Sequence, residues 1–305
     1  MLTKKQIQNI ANEATLAINI SDSDLLEFCV LANDSYRSGS PIVTDENYDF
    51  IFIPELQKRM PKHPFLQRVE SESEGFSDEK IKLPEKMLST DKAYTWGEIE
   101  KWLERISKFS EEINVQLSEI QIKGTAKLDG FAGYDDGKKL YTRGDGNKGS
   151  DISRVFQRGL GILNDSERGQ GPGEIVVKRS YFEDHLSNDF EYPRNFQASL
   201  IKEKELDKFA REAIDAKAAL FVPFKQLPFW KGNIDEFKNQ FLDIVIKLEG
   251  GVDFDIDGVV FEIVNPELKE FMGSNRKFHR WQIAYKENKE KAQVKVLSVT
   301  AQVGR

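Results

Sequence analysis

A stretch of alternating polar and apolar residues constrains the fold of this chain more than any other feature. Residues 121–128 read Gln-Ile-Lys-Gly-Thr-Ala-Lys-Leu, and Asp129 and Gly130 follow directly. A period of two residues is typical of a β-strand with one buried face. We therefore expect a strand that ends at a glycine corner, with Lys127 and Asp129 close together at its end. Considered alone, such a pair is most often an ordinary exposed charge pair.

The length and charge of the chain limit its class. Its 305 residues are enough for two domains with an ample core. The formal net charge of −7 argues against a protein whose whole surface binds DNA, because non-specific DNA binding depends on lysine and arginine neutralising phosphates. Any DNA contact would need a local basic face, such as Arg276, Lys277, His279 and Arg280.

Cysteine usage and hydropathy exclude further classes. The single cysteine, Cys29, cannot form a disulfide within the chain and excludes a cysteine-rich zinc module there. No apolar run approaches the roughly 20 residues of a membrane span, and no apolar signal core follows the N-terminus. We expect Cys29 to be a small core residue of a soluble, cytoplasmic protein that has no membrane partner.

Two helices have recognisable start signals. Thr3 can cap a helix that runs to about Ile20 with one apolar stripe. Thr95 and Glu98 have the spacing of a capping box for a helix that runs to about Phe109. The sequence between about 113 and 290 predicts short strands separated by glycine turns.

Asp45, Tyr48 and Asp49 form a third helical pattern. We expect Asp45 to cap a helix, and the spacing i, i+3, i+4 places all three side chains on one face of it. The simpler interpretation is a capping aspartate, a buried tyrosine and a surface acid. A binding role for the three residues needs support from elsewhere in the chain.

Two short motifs in the second half of the chain are misleading. Residues 144–149 spell GxGxxG between a strand (139–142) and a helix-like run (151–163), as in a dinucleotide-binding turn. We reject this interpretation because the chain lacks a repeated βαβ pattern. Residues 253–258 begin like a calcium loop, but the twelfth position would be Val264, and a strand follows instead of a helix.

Several motifs occur together in one order. They are KLDG at 127–130, TRGDG at 142–146, GE at 173–174, PRN at 193–195, DGVV at 257–260, RWQIAYK at 280–286 and QVGR at 302–305. In this order and spacing they resemble the bacterial-type NAD-dependent DNA ligases, members of the nucleotidyltransferase superfamily that attaches a nucleotide to the lysine of a KxDG motif. The resemblance covers nearly the whole chain, and its combination of motifs is specific.

The resemblance implies an α+β fold in three parts. Residues 1–70 would form a small helical domain that holds the nicotinamide mononucleotide (NMN) half of NAD. Residues 71–290 would form a nucleotidyltransferase (adenylation) domain of antiparallel sheets with flanking helices. Residues 291–305 would be the first strand of a truncated OB-fold. Because the family continues into further DNA-binding modules, we expect either a fragment or a split enzyme completed by a second ligase subunit.

The resemblance also implies a reaction. Lys127 would attack the adenylyl phosphate of NAD, release NMN and carry AMP as a phosphoramidate. The enzyme would then pass AMP to the 5′-phosphate of nicked double-stranded DNA, and the 3′-hydroxyl would seal the nick. A lysine with an ordinary pKa near 10.4 is almost fully protonated at neutral pH, so the site must lower this pKa with nearby positive charge, such as Lys286 or a metal ion.

The residues expected to act are carried over from the family motifs. Catalytic roles fall on Lys127, Asp129 and Lys286. Contacts with the cofactor fall on Asp45, Tyr48, Asp49, Ser89, Thr90, Thr125, Arg143, Glu174, Asp257, Glu262 and Lys286. Arg194 would contact a phosphate of the cofactor or the nick, and Mg²⁺ would lie near Asp129, Glu174 or Asp257. Taken singly, Arg143 could be a surface charge and Glu174 a solvent-facing strand residue.

The chain departs from the family pattern at several positions. Thr125 stands where the family has an acid, and Glu262 stands where the family has a lysine; both positions face the adenine in the family. Ser35-Tyr36 stands where the family has a Tyr-His pair. One hypothesis is compensation, with Glu262 accepting from the exocyclic amine of adenine, and a different base preference is the alternative. The divergence is also compatible with a viral source.

Two other functions are compatible with parts of the sequence. An ATP- or GTP-dependent nucleotidyltransferase, such as an RNA ligase or capping enzyme, would share the KxDG motif. The DxxYD pattern that ends at Asp49 argues against it. A non-catalytic ligase-like scaffold subunit is the other alternative, and the intact lysines and carboxylates of the motifs argue against that.

Overall fold

A computed structural model describes residues 2–37, 40–67, 80–203 and 205–287 of the chain. The expected OB-fold strand at 291–305 lies outside these residues, as does the Glu- and Ser-rich segment 70–78, for which the sequence predicts a linker or exposed loop.

The N-terminal segment (residues 2–67) is helical, as expected. Its α-helices are α1 (Lys4–Asn12), α2 (Asp22–Arg37), α3 (Asp45–Asn47), α4 (Ile53–Arg59) and α5 (Pro64–Gln67). Thr3 caps α1 through a capping box with Gln6, which confirms the predicted start. The predicted end near Ile20 is wrong, because α1 stops at Asn12 and a short 3₁₀ helix (Ala14–Ile18) follows. This change of direction buries Ala17 completely in the core.

The chain around Asp45 also differs from the prediction. Thr44, not Asp45, is the cap, since its side chain accepts from the backbone N–H of Asn47. A π-helical turn (Tyr48–Phe52) then joins α3 to α4. π-Turns inside helices often occur at functional sites. The turn contributes both Asp49 and the fully buried Phe52, whose ring packs 4.6 Å from that of Phe28.

The rest of the described chain folds around two five-stranded sheets and a two-stranded ribbon. The strands are β1 (Ile81–Lys82), β2 (Ser89–Ala93), β3 (Gln121–Leu128), β4 (Phe131–Asp135), β5 (Leu140–Thr142), β6 (Lys148–Gly149), β7 (Gly161–Ile162), β8 (Gly171–Val177), β9 (Ala219–Pro223), β10 (Phe229–Asn233), β11 (Ile256–Ile263) and β12 (Phe278–Tyr285). The first sheet has the order β10-β3-β11-β12-β2, the second has the order β5-β4-β8-β9-β7, and β1 and β6 form the ribbon. Pairing is antiparallel except for β2–β12 and β7–β9.

Eight helices flank these sheets. They are α6 (Trp96–Glu112), α7 (Arg154–Gln157), α8 (Arg179–His185), α9 (Pro193–Lys202), α10 (Lys208–Asp215), α11 (Ile234–Asn239), α12 (Phe241–Glu249) and α13 (Pro266–Met272). The predicted capping box of Thr95 and Glu98 is present at the start of α6. Antiparallel-dominated sheets with flanking helices are the α+β fold expected for an adenylation domain.

The helix-like run at 151–163 is the clearest local error. Only α7 is α-helical there, because Gly159 takes a positive φ of 100° and Gly161–Ile162 then pairs with β9 as strand β7. Positive φ is accessible to glycine at little cost, and it ends a helix. Residues 144–149 are therefore not followed by the long helix that a dinucleotide-binding turn requires.

Strand β3 lies at the junction of the two sheets. Its residues alternate between partly exposed and buried along the whole strand, as predicted. It pairs with β10 on one side and β11 on the other, and the Asp129-Gly130 corner then leads into β4 of the second sheet. Gly130 is required at this corner, since a Cβ there would lie 2.3 Å from the carbonyl oxygen of Ile175. Lys127 and Asp129 are thereby placed in the cleft between the sheets.

Candidate active site

A cavity of about 540 Å³ lies in the cleft, lined by the N-terminal segment and both sheets. All of the residues predicted for the site line it: Asp45, Tyr48, Asp49, Ser89, Thr90, Thr125, Lys127, Asp129, Arg143, Glu174, Arg194, Asp257, Glu262 and Lys286. The structure thus gathers residues separated by more than 200 positions in sequence.

A chain of ion pairs crosses the cavity. The Nζ atom of Lys127 lies 2.6 Å from Oδ2 of Asp257, whose Oδ1 lies 2.6 Å from Nζ of Lys286. Lys286 also binds Oδ2 of Asp49, and Oδ1 of Asp49 lies 2.5 Å from Nζ of Lys92. Three lysines and two carboxylates therefore alternate, and Asp49 comes from the N-terminal segment while the other four come from the sheets.

Burial and charge set the ionisation of this chain of ion pairs. Burial disfavours the Asp257 carboxylate, yet Lys127, Lys286 and Lys92 outweigh it and hold the pKa of Asp257 well below its usual range. The pKa of Asp49 is also lowered, since Lys286 and Lys92 outweigh burial. Asp257 and Asp49 in turn raise the pKa of the buried Lys286 against its desolvation. Both carboxylates are therefore ionised at neutral pH.

A bulge in β11 positions Asp257. The pairing of β11 with β3 shifts register between Ile256 and Val259, so that Asp257 and Gly258 are the irregular residues. Gly258 has a φ of 113°, and a Cβ there would lie 2.2 Å from the carbonyl oxygen of Tyr285. This close approach brings Asp257 beside Lys286, which directly follows β12. Bulges commonly redirect side chains next to active sites.

Tyr36 joins the N-terminal segment to the KxDG motif. Its hydroxyl donates to Oδ1 of Asp129 at 2.7 Å, and NH1 of Arg194 lies 3.2 Å from the same oxygen. The Arg194 guanidinium lies 3.9 Å from the Tyr36 ring centroid, and its Nε donates to the Tyr36 carbonyl at 3.0 Å. Sequence reasoning did not assign Tyr36 a role; its only signal was the departure from the family at Ser35-Tyr36.

Hydrogen bonds to backbone carbonyls hold other predicted residues in place. The hydroxyl of Tyr48 donates to the carbonyl of Cys29, which is fully buried as expected. Ser89 and Thr90 begin β2, and the N–H of Ser89 donates to the Lys277 carbonyl. The N–H of Arg143 donates to the carbonyl of Ala132.

Two carboxyl groups in the cavity have raised pKa values. Burial raises the pKa of Glu174 to about 7, and its Oε1 accepts from the N–H of Gly130 at 3.2 Å. Burial, together with the charges of Asp129 and Asp257, raises the pKa of Asp45 to about 7 as well. Both groups therefore titrate near neutral pH, unlike Asp49 and Asp257.

We expect the substitution Glu174→Gln to stabilise the protein at pH 8 relative to wild type, and to do so less at pH 5. The folded-state pKa of Glu174 is raised from 4.5 to about 7. Its contribution to stability is therefore fully present below pH 4.5 and is lost as pH rises through 7. Glutamine keeps the acceptor for Gly130 and does not ionise.

Urea unfolding at pH 5 and pH 8 can measure the difference in the free energy of unfolding between Glu174→Gln and wild type. We expect a gain on the order of 1 kcal/mol at pH 8, because partial exposure of the side chain reduces the full linkage effect. The exposed substitution Glu212→Gln is the control. An equal effect of Glu174→Gln at pH 5 and pH 8 would contradict the raised pKa.

The expected magnesium ligands are engaged with protein groups. Asp257 binds two lysines, Asp129 binds Tyr36 and Arg194, and Glu174 accepts from the backbone. Within the described ranges no group of three or more His, Cys, Asp or Glu side chains could hold a metal ion. The carboxylates in this arrangement do not fit a preformed Mg²⁺ site.

At the far end of the cavity, Glu262 lies opposite Lys123 of β3. Its Oε2 lies 2.9 Å from Nζ of Lys269, a residue of α13 that sequence reasoning missed. Lys269 in turn lies 4.2 Å from the ring centroid of Trp281. Thr125 and Glu262 line the same cavity, as the family pattern implied, but an ion pair already holds Glu262.

No helix in the described parts of the chain is both long enough and apolar enough to cross a membrane.

Comparison with known proteins finds similarity to one family. Residues 76–218 match a family described as "NAD-dependent DNA ligase adenylation domain". Curated relatives named "DNA ligase" come from Ruthia magnifica subsp. Calyptogena magnifica (59% identity over 94% of this chain and 47% of the relative), Vesicomyosocius okutanii subsp. Calyptogena okutanii (56% over 100% and 48%) and Desulfotalea psychrophila (49% over 99% and 44%). The chain spans about half the length of these relatives.

Proposed function

We propose, from the premise that residues 76–218 belong to the NAD-dependent DNA ligase adenylation-domain family, that this chain transfers the adenylyl group of NAD to Lys127. The observation that carries the proposal is the placement of Lys127. It lies at the end of β3 inside a cavity of about 540 Å³, beside the buried Asp257 and Lys286. A lysine amine in a cavity lined by cations suits attack on a phosphate.

The proposed step forms one bond and breaks another. Nζ of Lys127 attacks the adenylyl phosphorus, the new P–N bond forms, and the P–O bond to NMN breaks as NMN leaves with the electron pair. The lysine gives up its protons to solvent. One oxygen of Asp257 binds Nζ of Lys127, and the other binds Nζ of Lys286. Lys286 would also neutralise charge that develops on the phosphoryl oxygens.

The N-terminal segment is proposed to hold the NMN half. Asp45 and Asp49 line a second cavity of about 280 Å³ that shares Asp129, Asp257 and Lys286 with the first. The nicotinamide ring of NAD carries a positive charge, and carboxylates complement it. Tyr48 lines only the larger cavity, where its ring, rather than its hydroxyl, would contact the cofactor.

The remaining predicted residues are proposed to orient the adenosine and the phosphates. Glu174 and Asp129 would accept hydrogen bonds from the ribose, and the nucleoside would contact Ser89, Thr90, Thr125 and Glu262. Arg143 is proposed as a phosphate ligand. The same role for Arg194 stays a prediction, because the residue is only 5% exposed and its guanidinium already bonds Asp129 and the Gly130 carbonyl.

The later steps, transfer of AMP to a nick in double-stranded DNA and sealing, are proposed for the whole protein. The curated relatives carry their additional length in one chain, which gives no support to a separate second subunit. A requirement for Mg²⁺ stays a prediction that chelation with EDTA can test. The described residues alone are expected to self-adenylylate and to seal nicks weakly or not at all.

The intact mass of the purified chain after incubation with NAD, and separately with ATP, tests the proposal. We expect a gain of one AMP from NAD and none from ATP. A gain from ATP would favour an ATP-dependent nucleotidyltransferase of the RNA-ligase or capping type. No gain from either, with the fold intact, would favour a non-catalytic scaffold.

A further inference from the structure

Three side chains on the cavity-facing side of β3 follow one another at regular intervals. Lys127, Thr125 and Lys123 occupy alternate positions on this face, and two residues of a strand span about 7 Å. The cavity continues along this face from Lys127 past Thr125 to Lys123. A nucleotide that lies along it with its phosphorus at Lys127 would bring its base to the level of Lys123.

Near Lys123, the carboxylate of Glu262 lies between the ammonium groups of Lys123 and Lys269. Glu262 pairs with Lys123 across β3 and β11 and with Gln282 across β11 and β12. Its Oε1 lies 4.0 Å from Nζ of Lys123, which is too long for a hydrogen bond. Its Oε2 is bound by Lys269 at 2.9 Å. One oxygen is therefore fixed, while the side chain lines the cavity and remains 24% exposed.

Lys269 has a defined position of its own. It projects from α13, whose neighbouring Leu268 is fully buried in the core, and its ammonium packs against the ring of Trp281. A cation over an indole ring is attracted electrostatically by that ring. Lys269 is therefore held by both the Trp281 ring and the Glu262 carboxylate.

We propose that Lys269 positions Glu262 so that its Oε1 accepts a hydrogen bond from the exocyclic amino group of the nucleotide base, making Glu262 the specificity-determining residue for adenine. The inference rests on the proposed function, because it takes the adenylyl group to be bound at Lys127. An ionised carboxylate only accepts hydrogen bonds. It would attract the amino group of adenine and repel the carbonyl oxygen that hypoxanthine and guanine carry at the same ring position.

The test compares NAD with nicotinamide hypoxanthine dinucleotide, which has a carbonyl in place of the amino group. For wild type we expect kcat/KM for AMP transfer to exceed that for IMP transfer by at least about tenfold, the usual range when a charged acceptor loses its donor. In Glu262→Gln the ratio should fall to within about threefold, because an amide can donate to the carbonyl.

The positioning of Glu262 by Lys269 is tested by the same ratio of kcat/KM for AMP and IMP transfer. Lys269→Met should lower the ratio partway, and Lys269→Arg should restore it, while both keep the fold. The exposed Glu267→Gln, on the same helix, is the matched control and should leave the ratio unchanged. If Glu262→Gln keeps the wild-type preference, or if Lys269→Met leaves it unchanged, the corresponding part of the inference is overturned.

Failure of the proposed function would look different. If wild type gained no nucleotide from either dinucleotide, transfer to Lys127 would be refuted, and the base preference would be read from binding of AMP and IMP by calorimetry. Tighter binding of AMP that is lost in Glu262→Gln would uphold the inference without the reaction. Equal affinities in wild type would overturn it.

Discussion

Replacing Lys127 by arginine is expected to lower the rate of AMP gain from NAD by at least roughly a thousandfold, since the proposed nucleophile is removed. The guanidinium stays protonated at any accessible pH and cannot supply a free amine. It does preserve a cation beside Asp257, whose Oδ2 lies 2.6 Å from Lys127 in the wild type. Loss of transfer should therefore come without loss of the fold.

Intact mass over time measures this rate, and thermal unfolding checks the fold. Lys231→Arg, an exposed lysine of the neighbouring strand β10, is the control for a general effect of the substitution. A Lys127→Arg chain that gains AMP at nearly the wild-type rate would place the nucleophile elsewhere.

Replacing Lys286 by methionine is expected to lower the free energy of unfolding by about 3–5 kcal/mol at pH 7, the usual cost of removing one partner from a buried ion pair. The Lys286 side chain is 8% exposed and lies between the carboxylates of Asp49 and Asp257. Without it, two carboxylates that are 4% and 11% exposed lose a shared cation. AMP transfer should be lost as well.

The pH dependence of this loss identifies its cause. The folded-state pKa values of Asp49 and Asp257 lie below their ordinary value of 3.8. The stability that they contribute is therefore present above about pH 4 and is lost as pH falls further. The difference between wild type and Lys286→Met in the free energy of unfolding should therefore narrow as pH falls from about 4 to 3.

Denaturant unfolding at several pH values provides the measurement. Lys247→Met, an exposed lysine on α12, is the control for introducing methionine. A stability difference that stays constant down to pH 3 would mean that packing, rather than the ion pairs, accounts for the loss.

Much of the fold follows from local signals in the sequence. The alternation in residues 121–128 predicted β3 because one face of that strand packs on the core. The caps at Thr3 and Thr95 were visible because a capping box lies within four residues of sequence. The end of α1 was missed, since the apolar stripe continues beyond Asn12 while the burial of Ala17 depends on tertiary packing.

The sequence predicted only those residues of the site that belong to a family motif. Residues such as Lys127 and Asp257 belong to recognisable patterns, and the structure places them 2.6 Å apart. The sequence assigned no role to Tyr36, Lys92 or Lys269. Tyr36 meets a residue 93 positions away and Lys92 one 43 positions away. Contacts over such separations depend on how the N-terminal segment and the sheets meet, which periodicity does not encode.

The alternating lysines and carboxylates that cross the cavity affect how an anion can enter. Asp49 and Asp257 already bind Lys92, Lys127 and Lys286, so an arriving phosphate must compete with a resident carboxylate for each ammonium group. A displaced carboxylate is covalently attached and stays in the cavity, where it repels the phosphate. The affinity of the cavity for a free anion should therefore be lower than three lysines without carboxylate partners would give.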